Sequence, residues 1–231
     1  MRQLWTRDKS SYRGLEMFCA PGTHEATMSL LLRHNPPRSS VLDLGAGTGA
    51  MLARLQDAGF TDLAAVELAA ERFQLRNLTS LVVDLNTAFA GQIDRRFALI
   101  LAIEVIEHLN CPRDFLRQVR SLLFDGGYLL LTTPNVANWV GRLKFLLTGE
   151  IRWFDEAQYR RMRHVSPITD MQMRLMLDEL GFRVVESASA GNFYGPLRRL
   201  VTAPISLAFG AIFGRRVWGD CSIYLATLSE A

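Results

Sequence analysis

Five short apolar runs recur in the first 135 residues, at 41–44, 63–66, 81–85, 98–105 and 128–132, with stretches of helical character between them. Runs of four to eight apolar residues without polar alternation suit strands buried on both faces, and joining such strands through helices forces parallel pairing. The expected fold is therefore α/β, with helices packed on both sides of a mostly parallel sheet. Two further strands, at 182–189 and 222–228, bring the expected count to seven.

Between the runs, residues 49–58 read as a helix. So do residues 113–124, whose Phe115, Leu116, Val119, Leu122 and Leu123 recur at helical spacing. Pro112 marks the start of that helix and the pair Gly126-Gly127 its end. A third helix is expected over 167–180, closed by Gly181. Residues 135–165 mix Trp139, Phe145, Trp153, Phe154 and Tyr159 with six basic residues, and read as a helical insertion or lid over the sheet edge. The connection over 192–216 is long for a link between two strands. The organisation implied is a single domain over 1–231. It comprises an N-terminal helical segment (1–37), a core (38–135) and insertions at 136–166 and 192–216.

Charge and cysteines narrow the class. With 26 basic and 23 acidic residues the net charge is only +3, below what a dedicated nucleic-acid binder carries, so no nucleic-acid partner is expected. Three widely spaced cysteines, Cys19, Cys111 and Cys221, form no C-x-x-C pair, which argues against a disulfide framework or zinc site and for a reducing cytosol. The N-terminal residues carry no apolar signal-peptide core, which also points to a cytoplasmic protein.

The chemistry concentrates where the first strand meets a glycine-rich turn. In V-L-D-L-G-A-G-T-G (41–49), the strand runs through Asp43 into Gly45, Gly47 and Gly49 and then a helix. Glycines let a ligand approach the backbone, and the helix N-terminal amides favour an anionic group. The same turn satisfies a dinucleotide fingerprint, so it leaves the ligand class open. Three further features bear on it, through the resemblance they carry. Asp43, two residues before the first glycine, suits a ligand carrying an ammonium rather than a pyrophosphate. Glu67 ends the second strand 22 residues after Gly45, where a carboxylate can accept from both hydroxyls of a ribose. The third is the pair of segments F-A-L-I-L-A-I-E-V-I-E-H-L (97–109) and L-L-F-D-G-G-Y-L-L-L-T-T-P-N (122–135).

With these in order, residues 38–135 resemble the Rossmann-like S-adenosylmethionine-dependent methyltransferases, and the likeness extends more loosely to Gly181. The resemblance implies a Rossmann-like, seven-stranded, mostly parallel sheet with helices on both faces and a helical insertion, and S-adenosylmethionine as cofactor. It implies a cofactor surface of Asp43, Gly45, Ala46, Gly47, Gly49 and Glu67, continued by Leu68, Asp84, Leu85, Ile103 and Glu104, with Asp84 at the adenine amino group. Phe124-Asp125 before Gly126-Gly127 departs from the pair usual there, which affects a turn and not the cofactor site.

Methyl transfer is an in-line displacement dominated by positioning, and a base matters only where the nucleophile must lose a proton. His108 is the first candidate base and His164, beyond the basic insertion, the second. Each also has a purely structural reading, whereas His24 and His34 carry no pattern. Glu104, Glu107 and His108 form an i, i+3, i+4 set similar to ubiquinone-pathway O-methyltransferases, with which a divalent metal has been associated. No metal is assigned on that basis.

The function implied is methyl transfer to a small-molecule, lipid-linked or glycan-linked acceptor, with O-methylation the first expectation. An NAD-dependent oxidoreductase is the main competitor, disfavoured by Asp43 and by residues 104–108. A non-catalytic cofactor-binding subunit of a biosynthetic complex is the other. Residues 196–216 are apolar with arginine pairs at both ends, as interfacial helices are, but their longest apolar stretch, 203–213, is interrupted by Pro204, Ser206 and Gly210 and falls short of a bilayer span. The expectation favours a buried helix or dimer face there over peripheral contact with the inner face of a membrane, and leaves the oligomeric state open.

Overall fold

The computed structural model describes residues 10–191, 196–214 and 217–228. A two-stranded hairpin comes first: β1 (Ser11–Tyr12) and β2 (Leu15–Glu16) pair across Arg13 and Gly14, both at positive φ as a tight hairpin turn demands. Helix α1 (Thr23–His34) follows, then β3 (Val41–Leu44), α2 (Ala50–Asp57), β4 (Leu63–Val66) and β5 (Ser80–Leu81). The chain continues through β6 (Phe97–Ile103), α3 (Pro112–Ser121) and β7 (Leu123–Pro134). Beyond these lie α4 (Trp139–Thr148), α5 (Glu156–Met162), α6 (Asp170–Glu179), β8 (Phe182–Ala190), α7 (Pro196–Phe213) and β9 (Cys221–Leu228).

Seven strands form one sheet in the order β5-β4-β3-β6-β7-β9-β8. Pairing is parallel from β5 through β7, and β9 is antiparallel to both β7 and β8. Alternation along each strand divides the core. Leu99 and Leu101 of β6 meet Leu30 and Leu31 of α1 and Leu52 and Leu55 of α2, while Ile100 and Ala102 face Phe115 and Leu116 of α3 and Met173 and Leu177 of α6. Both faces of the central strands are buried, which is why their sequences read as unbroken apolar runs. The chain winds outward from β3 to β4 on one side and crosses to β6 on the other. That reversal opens a crevice at the carboxyl ends of β3 and β6, where open α/β sheets take their ligands.

The structure corrects several boundaries. The helix expected over 113–124 stops at Ser121, and Gly126-Gly127 belongs to β7: Leu123 already pairs with Phe97, and a register irregularity absorbs the glycines before Tyr128 pairs with Leu99. Gly126 takes φ +70°, and a Cβ on Gly127 would lie 2.7 Å from the Phe124 carbonyl oxygen, so both positions need glycine for a strand bulge rather than for a helix cap. The strand expected over 81–85 shrinks to β5, because beyond Leu81 the chain leaves its partner β4. The N-terminal segment is not wholly helical, since the hairpin precedes α1; residues 1–9 lie outside the described residues. The connection over 192–216 contains α7, which is not a core helix. Its Ile205, Leu207, Ile212 and Phe213 are exposed. Of the flanking pairs, Arg215-Arg216 and the side chains of Arg198-Arg199 lie outside the described residues.

Candidate active site

At the end of β3, Gly45 and Gly49 both sit at positive φ, where an L-residue is strained. Space forbids a side chain too: a Cβ on Gly45 would lie 2.6 Å from Val105 Cγ2, and one on Gly49 2.7 Å from Leu75 Cβ. The turn is braced from the next strand, since the Gly47 amide donates to Glu67 Oε2 at 2.8 Å while the Ala69 amide donates to Oε1 at 3.1 Å. Both Glu67 oxygens thus hold backbone, each with a second lone pair for a ligand hydroxyl.

A cavity of about 700 Å³ opens over this turn, large enough for a nucleoside-sized ligand and part of a second molecule. It is lined by Asp43, Gly45, Ala46, Gly47, Glu67 and Leu68 from the first two strand ends, and by Asp84, Leu85, Ile103, Glu104 and His108 from the next two. Gly49 caps α2 and supports the turn from below. Asp84 lies in a loop three residues past β5, and its Oδ1 accepts from the Asn86 amide at 2.9 Å, an Asx turn. It lines the cavity from that loop rather than from a strand end.

Asp43 is 2% exposed, and burial together with the neighbouring Glu67 pushes its carboxyl up to about 8. A cationic group beside it would restore the carboxylate, so this corner favours a ligand with an ammonium.

On the far side of β6 the backbone turns sharply. Glu104 adopts φ +54°, with its amide donating to Thr132 Oγ1 at 3.0 Å, and its Oε1 accepts from Thr132 Oγ1 and from the buried Cys221 thiol, at 2.9 and 3.1 Å. That strained residue launches the turn carrying Glu107 and His108. Glu107 is wholly buried. Its Oε2 accepts from Thr133 Oγ1 at 3.2 Å, Oε1 has no hydrogen-bond partner, and burial with the nearby Glu104 holds its carboxyl well above the usual range. The backbone carbonyl of Glu107 accepts from the amides of Val165 and Ser166, tying this turn to the segment bearing His164.

His108 and His164 meet edge to face with ring centroids 4.8 Å apart. His108 is on the cavity wall, whereas His164 is buried behind it, its Nδ1 2.8 Å from the Trp153 carbonyl. A carbonyl only accepts, so His164 Nδ1 carries the proton. Burial lowers the His108 pKa, a shift reinforced by Arg72 and opposed by hydrogen bonds to the backbone at Met162, Arg163 and Glu104. The imidazole is therefore neutral at neutral pH.

The carboxyls and imidazole of the 104–108 set do not converge, because Glu104 is taken up by Thr132 and Cys221. The group that does converge, with one ligand atom each within 4.8 Å, is Glu107, His108 and His164. Two imidazoles and one carboxyl differ from the oxygen-rich surroundings magnesium takes, so these residues do not fit that ion.

Sequence reasoning missed part of the wall. Phe18, close enough that a Cβ on Gly47 would lie 3.2 Å from its Cδ2, reaches the cavity from the segment after β2. His24 of α1 also lines it, and neither residue belongs to a local pattern, whereas Arg161 and Arg163 at the end of α5, also on the wall, come from the aromatic and basic insertion.

A seven-stranded sheet of this order, with an acid and three glycines at its switch point and a second acid bracing the turn, defines the Rossmann-like S-adenosylmethionine-dependent methyltransferases. The chain belongs to the methyltransferase-domain family, whose pattern matches residues 10–187, and S-adenosylmethionine is its cofactor. The oxidoreductase reading falls with that assignment. The ubiquinone biosynthesis O-methyltransferase of Bradyrhizobium diazoefficiens is 28% identical over 169 residues, covering 68% of this chain and 62% of that protein. A highly reducing polyketide synthase, acrA of Aspergillus aculeatus, is 29% identical over 171 residues, covering 67% of this chain but only 7% of the synthase. The chain thus spans less than two thirds of either relative. Among solved structures, a methyltransferase from Archaeoglobus fulgidus superposes with TM-score 0.59 over 89% of this chain and 94% of its own, at 18% identity. The magnesium protoporphyrin IX methyltransferase of Synechocystis PCC 6803 gives 0.59 over 90% and 84%, at 15%. At such identities these structures establish the fold alone.

Proposed function

We propose that this methyltransferase methylates a hydroxyl oxygen on a small-molecule, lipid-linked or glycan-linked acceptor, with His108 as the general base. The observation that carries the reading is the His108 imidazole on the wall of the cofactor cavity, packed edge to face against a second imidazole whose Nδ1 is fixed by the Trp153 carbonyl; burial, which lowers the His108 pKa, is consistent with a base. The name of the Bradyrhizobium relative supports an oxygen acceptor.

The cofactor, when bound, supplies an electrophilic methyl group. Asp43 would hold its ammonium and Glu67 its ribose hydroxyls, with the loop bearing Asp84 and Leu85 beside its base. His108 would take the O–H proton of the acceptor, leaving its oxygen free to accept the methyl group. His164 keeps the His108 ring in place by edge-to-face packing, and Phe18 limits water over the glycine turn.

The test is transfer of labelled methyl from the cofactor to a panel of phenols, hydroxylated quinones, aliphatic alcohols and amines. Methylation of a hydroxyl compound by the wild type, with turnover lost in His108→Ala, supports the reading. Transfer to amines alone would refute it.

A further inference from the structure

Helices α4 and α7 touch on the outside of the molecule, through the rings of Trp139 and Phe209 with centroids 6.3 Å apart and the Arg142 guanidinium 4.4 Å over the ring of Phe213. α7 is anchored along a narrow strip. Trp218 packs where a Cβ on Gly210 would lie 2.6 Å from its ring, and its Nε1 donates to the Ser206 carbonyl. Beside that strip, several large apolar side chains of the described residues are exposed. Leu146 and Leu147 of α4 are 80% and 74% exposed, and Leu207 and Ile212 of α7 are 64% and 74% exposed, with Phe145, Ile205 and Phe213 about half exposed. Leu146 follows Arg142 by one helical turn, so the row that meets Phe213 continues into the exposed leucines. A soluble surface seldom leaves so many large apolar side chains together without a partner.

The charge of the two segments says what that partner is. Twenty-three of 231 residues are acidic, yet residues 136–149 and 191–219 contain none, while holding Arg142, Lys144, Arg198, Arg199, Arg215 and Arg216. Lys144 is paired with Glu150 and Asp155. A second copy docking through the same face would bring two acid-free, arginine-bearing segments together, whereas an anionic partner would complement them. Among the described residues no helix is long and apolar enough to cross a membrane, so a lipid partner would be met in the plane of its surface.

We infer that the α4–α7 face seats the protein on an anionic lipid bilayer, with the exposed leucines, isoleucines and phenylalanines at the acyl boundary, Arg142 beside them at the headgroups, and the acid-free, basic sequence of the two segments favouring anionic over neutral lipid. This interaction stands apart from the proposed acceptor chemistry and does not depend on it.

The experiment is cosedimentation of the full chain with vesicles of phosphatidylcholine alone and of phosphatidylcholine mixed with phosphatidylglycerol, at low and high salt, beside the double variant Leu146→Glu/Ile212→Glu. Both positions are exposed, and cofactor titration of the variant verifies its fold. Expected are binding to the anionic vesicles, weakening as salt shortens the screening length from about 8 Å toward 3 Å, and a loss of ~10-fold or more in the variant. Three results would overturn the inference: no vesicle binding by the wild type, binding that the double variant leaves intact, or self-association in sedimentation that the variant abolishes while vesicles have no effect.

Discussion

The Gly47 amide donates to Glu67 Oε2 across 2.8 Å, so the acid at the end of β4 holds the glycine turn at the end of β3 before any ligand arrives. A contact made in the free protein preorganises the site, and removing it acts on both stability and binding.

Glu67→Ala should therefore weaken cofactor binding by about 1.5 to 3 kcal/mol for the lost charged hydrogen bond, and should also lower the melting temperature of the ligand-free protein. Glu67→Gln, which keeps one acceptor oxygen, should fall between. Calorimetric titration and thermal unfolding of the three proteins check this. A binding loss without any change in melting would mean that the turn is held by something else.

Asp43 makes cofactor binding sensitive to pH. Its folded-state pKa of about 8 lies above the ordinary carboxyl value, so it is largely protonated in the free protein at neutral pH. An ammonium beside it favours the carboxylate, so binding should release about one proton near pH 7, and affinity should rise as pH approaches 8. By the same linkage the free protein holds its full contribution below pH ~4 and loses stability as pH climbs toward 8. Calorimetry in buffers of differing ionisation enthalpy measures the released proton, and Asp43→Asn should abolish it. No buffer dependence in the wild type would contradict the assignment.

His108→Ala should lower turnover by ~10²-fold or more with little change in cofactor affinity, as expected for loss of a general base. Because burial lowers its pKa, the wild-type rate should reach its plateau below the usual imidazole value of about 6.5 rather than above it. A pH profile of kcat whose acidic limb sits above that value, or one unchanged in His108→Ala, would count against the role.

Much of this site was legible because its central chemistry is contiguous. Asp43 and the glycines at 45, 47 and 49 share one strand-to-helix turn, and the steric demands at Gly45 and Gly49 allow no other residue. Glu67 was legible by its place at a strand end, though not its bond to the turn, which depends on the lateral pairing of β3 with β4. His24 and Phe18 reach the cavity from a helix and a loop whose local patterns are those of any surface element. Only the folded arrangement gathers them. Gly126-Gly127 misled because a helix cap and a strand bulge ask for the same residue, and residues 82–85 because Val83, buried in a loop, has the composition of a strand. The pairing of His108 with His164 spans 56 positions and rests on the backbone bonds from Val165 and Ser166 to Glu107.

Those two imidazoles and Glu107 also predict how the enzyme responds to metals. Zinc accepts nitrogen and carboxylate donors in compact sets of three, so added zinc should occupy the lone pair that His108 needs and inhibit transfer. Magnesium, which prefers oxygen donors, should neither activate nor inhibit. Steady-state rates with each ion, and recovery from zinc on adding a chelator, decide it. Loss of activity in chelator alone that magnesium restores would mean the set is completed in a way the three side chains do not reveal.

The last prediction concerns acid stability and rests on His24. The ring is 6% exposed on α1, and its Nδ1 has no hydrogen-bond partner, as is true of the buried hydroxyls of Thr23 and Thr27 beside it in sequence. Burial, with the nearby Arg54 as the second cause, lowers its pKa to about 4, while Glu25 opposes the shift only in part. In the unfolded chain the same imidazole titrates near 6.5. Above that value neither state binds the proton and His24 has no effect on stability with pH. Between about 6.5 and 4 the unfolded state takes up a proton that the folded state refuses, so stability falls by up to roughly 3 kcal/mol across the window. His24→Gln, polar and uncharged, should flatten that part of the curve, even if it lowers stability at neutral pH through imperfect packing. Denaturant unfolding of both proteins at a series of pH values between 4 and 8 separates the two effects, because packing shifts the whole curve and titration changes its slope. Parallel curves would show that His24 keeps an ordinary pKa in the fold and that another group governs the acid limb.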